Sequence, residues 1–396
     1  MSYDSPFFDS FPSRMGTDCE KWDALRREEG AELLPMWVAD MDFRCPPEVT
    51  QALVRRASHG IYGYTEPSLG AQEALLGFVK RRHGLELTRE QQSMLPCVIS
   101  GLKTAVRALT KPGDSVIVQP PVYGPFFSSV TANGRVVAES PLLSDARGRY
   151  AMDFDGVEAL CRAGAKMMLL CSPHNPVGRC WSREELQRLW DILSRYGVAL
   201  VSDEIHWDFV YEPGAFTSVL ALPEAQDPAA PIAALTSASK TFNLAGLQQA
   251  VLLTRNQGLL ETFQRETEAA GVVQGNLFGM VATQAAYEQG DEWLEGLLAY
   301  LRQSRAILRE ELSLRLPRAV LSPLEATYLA WVDLRAYGLS TQELTQRTRR
   351  AGVAFTMGTF FGSQGEGFLR INLACPHSQL REALALLQKA ILGPLP

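Results

Sequence analysis

One lysine stands apart from the other cations of this chain. In Ser237-Ala-Ser-Lys-Thr-Phe-Asn-Leu-Ala-Gly246, Lys240 has no charged neighbour in sequence, follows the apolar run Pro231 to Leu235 and is preceded by two serines. An amine presented in this way loses part of its preference for charge and becomes a usable nucleophile, as a Schiff-base lysine must, while Ser237 and Ser239 could ligate an anion. A loop lysine that happens to lack charged neighbours would look the same locally, so the partners have to come from elsewhere in the chain. Asp203 follows the apolar run Val198 to Val201 after one serine; a desolvated aspartate needs a cation, unless it serves as a helix cap. Arg370 interrupts the apolar segment Gly367 to Pro376. Such an arginine snorkels outward, pairs with an acid, or holds a carboxylate bidentately.

Further candidates stand where apolar runs end. Asn175 belongs to Ser172-Pro-His-Asn-Pro-Val-Gly178, a turn in which asparagine usually bonds its own backbone. Tyr123 follows Pro120-Pro121-Val122 at the end of Ser115 to Gln119, and its ring is core or part of a site. The run Cys97-Val-Ile reads as a strand that ends at Ser100-Gly101-Leu102, the opening of an amphipathic helix. That is either an ordinary strand-to-helix turn or, through free backbone N–H groups, a phosphate seat. His206 lies close to Asp203 in sequence and reads as a supporting residue rather than a catalytic one. Tyr64 sits in the glycine- and proline-bearing loop Ile61 to Ser68, and Asp40 and Asp42 read as turn or cap residues.

Ser-x-Ser-Lys-Thr-Phe-Asn-x-Ala-Gly resembles the cofactor-lysine motif of fold-type I pyridoxal phosphate enzymes, the class I/II aminotransferase superfamily. Met36-Trp-Val-Ala-Asp-Met-Asp-Phe43, Ser-Pro-His-Asn-Pro-Val-Gly-Arg179, Asp-Glu-Ile-His206 and Glu-Ala-Thr-Tyr-Leu-Ala-Trp331 resemble one subgroup, the MalY/PatB-type cystathionine β-lyases. These motifs cover nearly the whole chain in the family's order. The resemblance implies that Lys240 carries pyridoxal 5′-phosphate and then acts as base, that Asp203 keeps the ring nitrogen protonated, and that Asn175 donates to the phenolic oxygen. It also implies Tyr123 stacked on the ring, Ser100, Gly101, Leu102, Ser237 and Ser239 around the phosphate, and His206 beside the cofactor. Tyr64 would reach the phosphate of the other subunit in a homodimer with shared active sites. Arg370, with Asn175, would hold the carboxylate of a small amino-acid substrate, and Ala39 and Asp40 would line its edge. The implied reaction is α,β-elimination from L-cystathionine or related cysteine S-conjugates to pyruvate, ammonia and a thiol. The alternatives are an aminotransferase of the same superfamily and, from another class, a cofactor-binding regulatory or interaction protein; a dehydrogenase is set aside for want of a G-x-G-x-x-G after a strand. Two positions depart from the pattern. Gln248 stands where many relatives place a phosphate-binding arginine, eight residues after the lysine, which leaves Lys103 and Arg255 as open substitutes, and Ala326 stands where glycine is common.

The elements that must position these residues follow from patterning. From Val98 to Arg255, short apolar runs alternate with helix-like segments, the pattern of a mostly parallel sheet covered by helices. Ser182-Arg-Glu-Glu185 and Ser340-Thr-Gln-Glu343 are capping boxes that open helices, Pro46-Pro47 opens another, and helices are expected at 256–270, 276–289 and 291–314. Residues 1–35 read as a polar, irregular arm whose Phe7, Phe8 and Phe11 pack on something else. With 396 residues, 46% of them apolar, the chain exceeds one core. The expected fold is α/β, and the fold-type I resemblance implies a large domain with a mostly parallel seven-stranded sheet between helices plus a smaller α/β C-terminal domain. Boundaries are expected at 1–46 for an arm and part of the small domain, 47–288 for the large cofactor-binding domain and 289–396 for the small one. A net charge of −6 without basic runs argues against nucleic acid. Seven scattered cysteines without C-x-x-C suggest neither disulfides nor a metal site. No apolar run has membrane-spanning length and the N-terminus does not read as a signal peptide, so a cytoplasmic location is expected.

Overall fold

The computed structural model describes residues 3–30, 32–212, 214–272 and 275–393. Its centre is a seven-stranded sheet in the order Gln92–Leu95, Ala250–Leu253, Ile232–Thr236, Ala199–Asp203, Met167–Cys171, Ser115–Val118, Val136–Glu139. The five strands from Ile232–Thr236 to Val136–Glu139 run parallel, and Ala250–Leu253 is antiparallel to both of its neighbours. The three middle strands are buried at every position, as expected of strands covered by helices on both faces. Helices Val98–Leu109 and Gln257–Ala269 pack on one face, contributing Leu102, Val106, Leu260 and Phe263 to the smaller of the two main cores.

The C-terminal region carries a four-stranded antiparallel sheet, in the order Val320–Leu321, Leu329–Asp333, Phe368–Asn372, Thr356–Met357. The long helix Asp291–Arg315 and helices Thr341–Ala351 and His377–Leu392 accompany it. Both expected capping boxes form. The Ser182 hydroxyl accepts from the Glu185 amide at 3.2 Å while the Glu185 carboxylate accepts from the Ser182 amide at 2.8 Å, and Ser340 and Glu343 repeat the arrangement. Helix Pro47–Ser58 starts at the second proline, as Pro46-Pro47 implied.

Two expectations change. Cys97-Val-Ile is not a strand: the strand is Gln92–Leu95, Pro96 ends its ladder, and Cys97 is already the N-cap of the helix that begins at Val98. The N-terminal arm is not irregular throughout. It forms a short helix Ser5–Asp9, a π-turn Glu20–Ala24 and a helical turn Leu25–Glu29, and Phe8 packs edge-on against Phe43 and Trp293 beside Tyr300. Leu34 and Pro35 then pair in parallel with Val353 and Ala354, tying the arm to the C-terminal region.

Candidate active site

The parallel strands deliver their following loops to one edge of the sheet, where ligands gather in α/β folds. Strand Ile232–Thr236 leads into Ser237, the N-cap of the four-residue helix Ala238–Thr241 that carries Lys240. Strand Ala199–Asp203 ends in Asp203, Met167–Cys171 leads to Asn175, and Ser115–Val118 leads to Tyr123. A cavity of about 150 Å³ collects Lys240, Asp203, Asn175, Tyr123, His206, Ser237, Ser239 and Ala39. Lys240, Tyr123 and Ala39 also line an adjoining outer cleft of about 740 Å³ that holds Arg370 and Asp40.

Electrostatics follow burial. Desolvation lowers the Lys240 amine from its ordinary value, and its Nζ donates to the Ala39 carbonyl at 2.6 Å. Tyr328 donates to the same carbonyl at 3.0 Å. Asp203 is pushed up to about 7 by desolvation, which the one hydrogen bond to its carboxylate among the described residues, from the Ile205 amide at 3.1 Å, only partly offsets. That bond is the local turn-type pairing open to an aspartate there, and it leaves the carboxylate without a cation at contact distance. Burial pushes His206 down to about 3, so its ring is neutral, and its Nδ1 is buried without a partner. Arg370, pushed down to about 10 by burial, donates to Asn175 Oδ1 at 3.1 Å, the Trp37 carbonyl at 2.7 Å and Thr356 Oγ1 at 3.2 Å, leaving Nε unpartnered. The Tyr123 phenol is raised by burial and stays protonated.

Four sequence candidates, Ser100, Gly101, Leu102 and Tyr64, line neither the cavity nor the cleft. Ser100 Oγ donates to the Cys97 carbonyl, and the Gly101 amide donates to the same carbonyl at 3.2 Å. Because the helix starts earlier than expected, the amides free to meet an anion are those of Val98 and Ile99, both at the cavity. Leu102 is buried in the core, and Gly101 is glycine for packing: a Cβ there would meet Leu235 Cδ2 at 2.5 Å. Tyr64 is 97% exposed and lines neither cavity. Asp40 lines the outer cleft, but its carboxylate is already held by Arg14 at 2.6 Å. Gln248, in left-handed conformation at φ 49°, lies at the cavity with Gln249, whereas Arg255 donates to the Leu220 and Glu86 carbonyls.

Sequence reasoning missed what holds the strip 36–43. Asp42 is enclosed by Lys21 Nζ at 2.7 Å, Arg14 Nη1 at 2.7 Å and the Trp22 indole at 3.1 Å. Burial works to raise this carboxyl, but the two cations pull it below its ordinary value. From the other side Asn372 donates to the Val38 and Asp40 carbonyls at 2.6 and 2.7 Å, and Asn243 to those of Met41 and Phe43. Two aspartates inside an apolar run were the available signal; their cations lay in a segment that had no readable pattern.

The residues fit a flat, anionic, ring-bearing cofactor. A desolvated carboxylate, an amine of lowered basicity, an unpartnered imidazole nitrogen and free helix-start amides face one space, so a ring cation and a phosphate would each find a counterpart. Comparison with known proteins gives the same direction. The profile of the aminotransferase class I and II family matches residues 32–387. The chain is 40% identical to the cystathionine β-lyase PatB of Bacillus subtilis over 97% of this chain and 99% of that protein. The crystal structure of cystalysin from Treponema denticola, which contains a pyridoxal 5′-phosphate cofactor, superposes with a TM-score of 0.94 at 32% identity, covering 99% of each chain. The pyridoxal phosphate-bound C-S lyase from Staphylococcus hominis gives 0.90 at 32% identity, covering 97% of this chain and 98% of that one.

Proposed function

Because this chain belongs to the aminotransferase class I and II family, and within it to the PatB/MalY-type carbon–sulfur lyases, we propose that it binds pyridoxal 5′-phosphate through Lys240 and cleaves L-cystathionine by β-elimination. The observation that carries the reading is that Lys240, Asp203, Asn175 and Tyr123 meet in one cavity, with the Arg370 guanidinium on Asn175 at its edge.

When bound, the cofactor supplies the electron sink for a carbanion at the substrate Cα. The chain does the rest. Asp203 would accept the ring N–H, Tyr123 would cover the ring, Asn175 would donate to its phenolic oxygen, and the neutral His206 would lie beside it. Ser239 and the amides of Val98 and Ile99 would take the phosphate, in place of the arginine that Gln248 replaces, while the Ser237 hydroxyl gives its proton to the Gln249 carbonyl. Arg370 holds the substrate α-carboxylate, which relieves its unpartnered Nε. Lys240 would be the base that removes the substrate's Cα proton. Its Nζ starts from the Ala39 carbonyl, a neutral acceptor that leaves the amine uncommitted to any carboxylate. The Cβ–S bond then breaks with its electron pair on sulfur, and with one water the net products are homocysteine, pyruvate and ammonia. Cystathionine rather than a small thioether is favoured by the outer cleft. Its Asp18 and Glu20 offer carboxylates to a leaving group that carries its own ammonium.

The test is purified protein loaded with pyridoxal phosphate and given L-cystathionine. Pyruvate and thiol should appear in equal amounts, and Lys240→Ala should lower the rate by about 10³-fold or more. A protein that makes no pyruvate and needs a keto acid for turnover is an aminotransferase.

A further inference from the structure

Asp208 lies five residues beyond Asp203, is 2% exposed and touches neither cavity. Its Oδ2 accepts from the hydroxyl of Thr241 at 2.6 Å, and its Oδ1 pairs with His83 Nε2 at 3.1 Å, with Arg82 Nε 3.8 Å away. Thr241 is the neighbour of Lys240 and the last residue of the helix that carries it. His83 is the last residue of helix Leu69–His83, and its ring stacks on Trp207 at 4.1 Å. One buried carboxylate therefore joins three pieces of chain: the lysine helix, the turn that bears Asp203 and His206, and the end of a long helix.

We propose that Asp208, acting through Thr241, is a positioning residue for Lys240. A four-residue helix is too short to hold itself, since nearly all of its backbone groups are end groups. Its front is tied by Ser237, whose hydroxyl accepts from the Ser239 amide and donates to the Gln249 carbonyl. Its back is tied at Thr241, to Asp208. The lysine must move its amine between the Ala39 carbonyl, the cofactor and the substrate Cα, and a side chain with four rotatable bonds does so reproducibly only from a fixed root. A misplacement of about 1 Å in such a site lowers rate by roughly 10²-fold. Because Asp208 is reached by Thr241, His83 and Arg82, both of its oxygens are used without any group from the cavity, so its effect on chemistry has to pass through the helix.

The inference rests on the reading of Lys240 as cofactor lysine, and the experiment separates the two. Thr241→Val keeps the shape of the side chain and removes the hydroxyl; Thr241→Ser restores it; Asp208→Ala removes the acceptor. The loaded proteins are compared for kcat, KM, Tm, visible absorbance band and rate of cofactor loss. In Thr241→Val, kcat should fall by about 10-fold with KM nearly unchanged, the band should weaken and the cofactor should leave faster, and Thr241→Ser should recover most of each. If Asp208→Ala folds, combining it with Thr241→Val should add little, because both remove the same tie. A Thr241→Val protein with the parent's kcat and band, or losses that multiply in the double variant, overturns the proposal. A parent protein that forms no visible band with pyridoxal phosphate overturns the reading of the cavity instead.

Discussion

Asp203 is a carboxylate held out of water with a single backbone donor, and its proton balance follows. Its folded value of about 7 lies above the ordinary value of 3.8. Between those values the folded cofactor-free protein holds a proton that the unfolded chain has released, so this group's contribution to stability is full at low pH and is lost as pH rises through about 7. Asp203→Asn has no such loss. We expect the Tm of cofactor-free Asp203→Asn, measured against that of the cofactor-free parent, to improve steadily from pH 4 to pH 8, and loading the parent with cofactor to remove much of the difference. His206 runs the other way, being held neutral down to about 3, and is present in both proteins, so it cancels in the comparison. At this scale the sequence was informative where chemistry demands an odd residue in an apolar setting: the isolated Lys240, the aspartate after a buried run, the arginine inside one. It was uninformative where the partner is a main-chain atom. The Ala39 and Trp37 carbonyls, which accept from Lys240 and Arg370, have no side-chain signature.

At the level of elements, the strip 36–43 is pressed between the lysine loop and strand Phe368–Asn372, and the pair Lys21–Asp42 fastens its outer side with Arg14. Both charges of the pair are fully buried, so removing Lys21 leaves Asp42 a buried carboxylate with Arg14 as its one remaining cation among the described residues. We expect Lys21→Met to destabilise the fold by about 3–5 kcal/mol in urea unfolding, and Lys21→Met combined with Asp42→Leu to recover part of that loss. The helices that open with Ser-x-x-Glu boxes were readable because each box is a local contract between two side chains and two amides. Cys97-Val-Ile was misread for the converse reason. Three residues of mixed β-branched and small type suit either state, and the deciding factor, Pro96 ending the adjacent strand, acts through the ladder rather than through propensity. The fastening of the strip was invisible because its cations come from 14 and 21, whose surroundings carry no periodicity.

Over the whole molecule, Val54, Ile61, Tyr62, Tyr64 and Leu69 are all more than half exposed, a concentration of apolar side chains on the loop and helices that precede the sheet. Such a patch on one chain fits a surface that a second copy covers, and the proposal that Tyr64 serves the neighbouring subunit's phosphate has a direct check. Tyr64→Ala and Lys240→Ala proteins, each weak alone, should gain activity severalfold when unfolded, mixed and refolded together, because hybrid dimers contain one site with both residues intact. No gain on mixing would mean that each chain's site is self-contained.

The bond from Arg370 to the Trp37 carbonyl spans 333 positions of sequence. During synthesis at about 5–20 residues per second, the strip that closes the site has to wait roughly 17–67 s before the strand that clamps it is made. Lys240 itself precedes Arg370 by 370 − 240 = 130 positions, so for roughly 6–26 s of that interval the lysine has been made and the arginine has not. Burial in the finished site is what lowers the Lys240 amine, so the lysine acquires its nucleophilic character only after the strand that clamps the strip has been made.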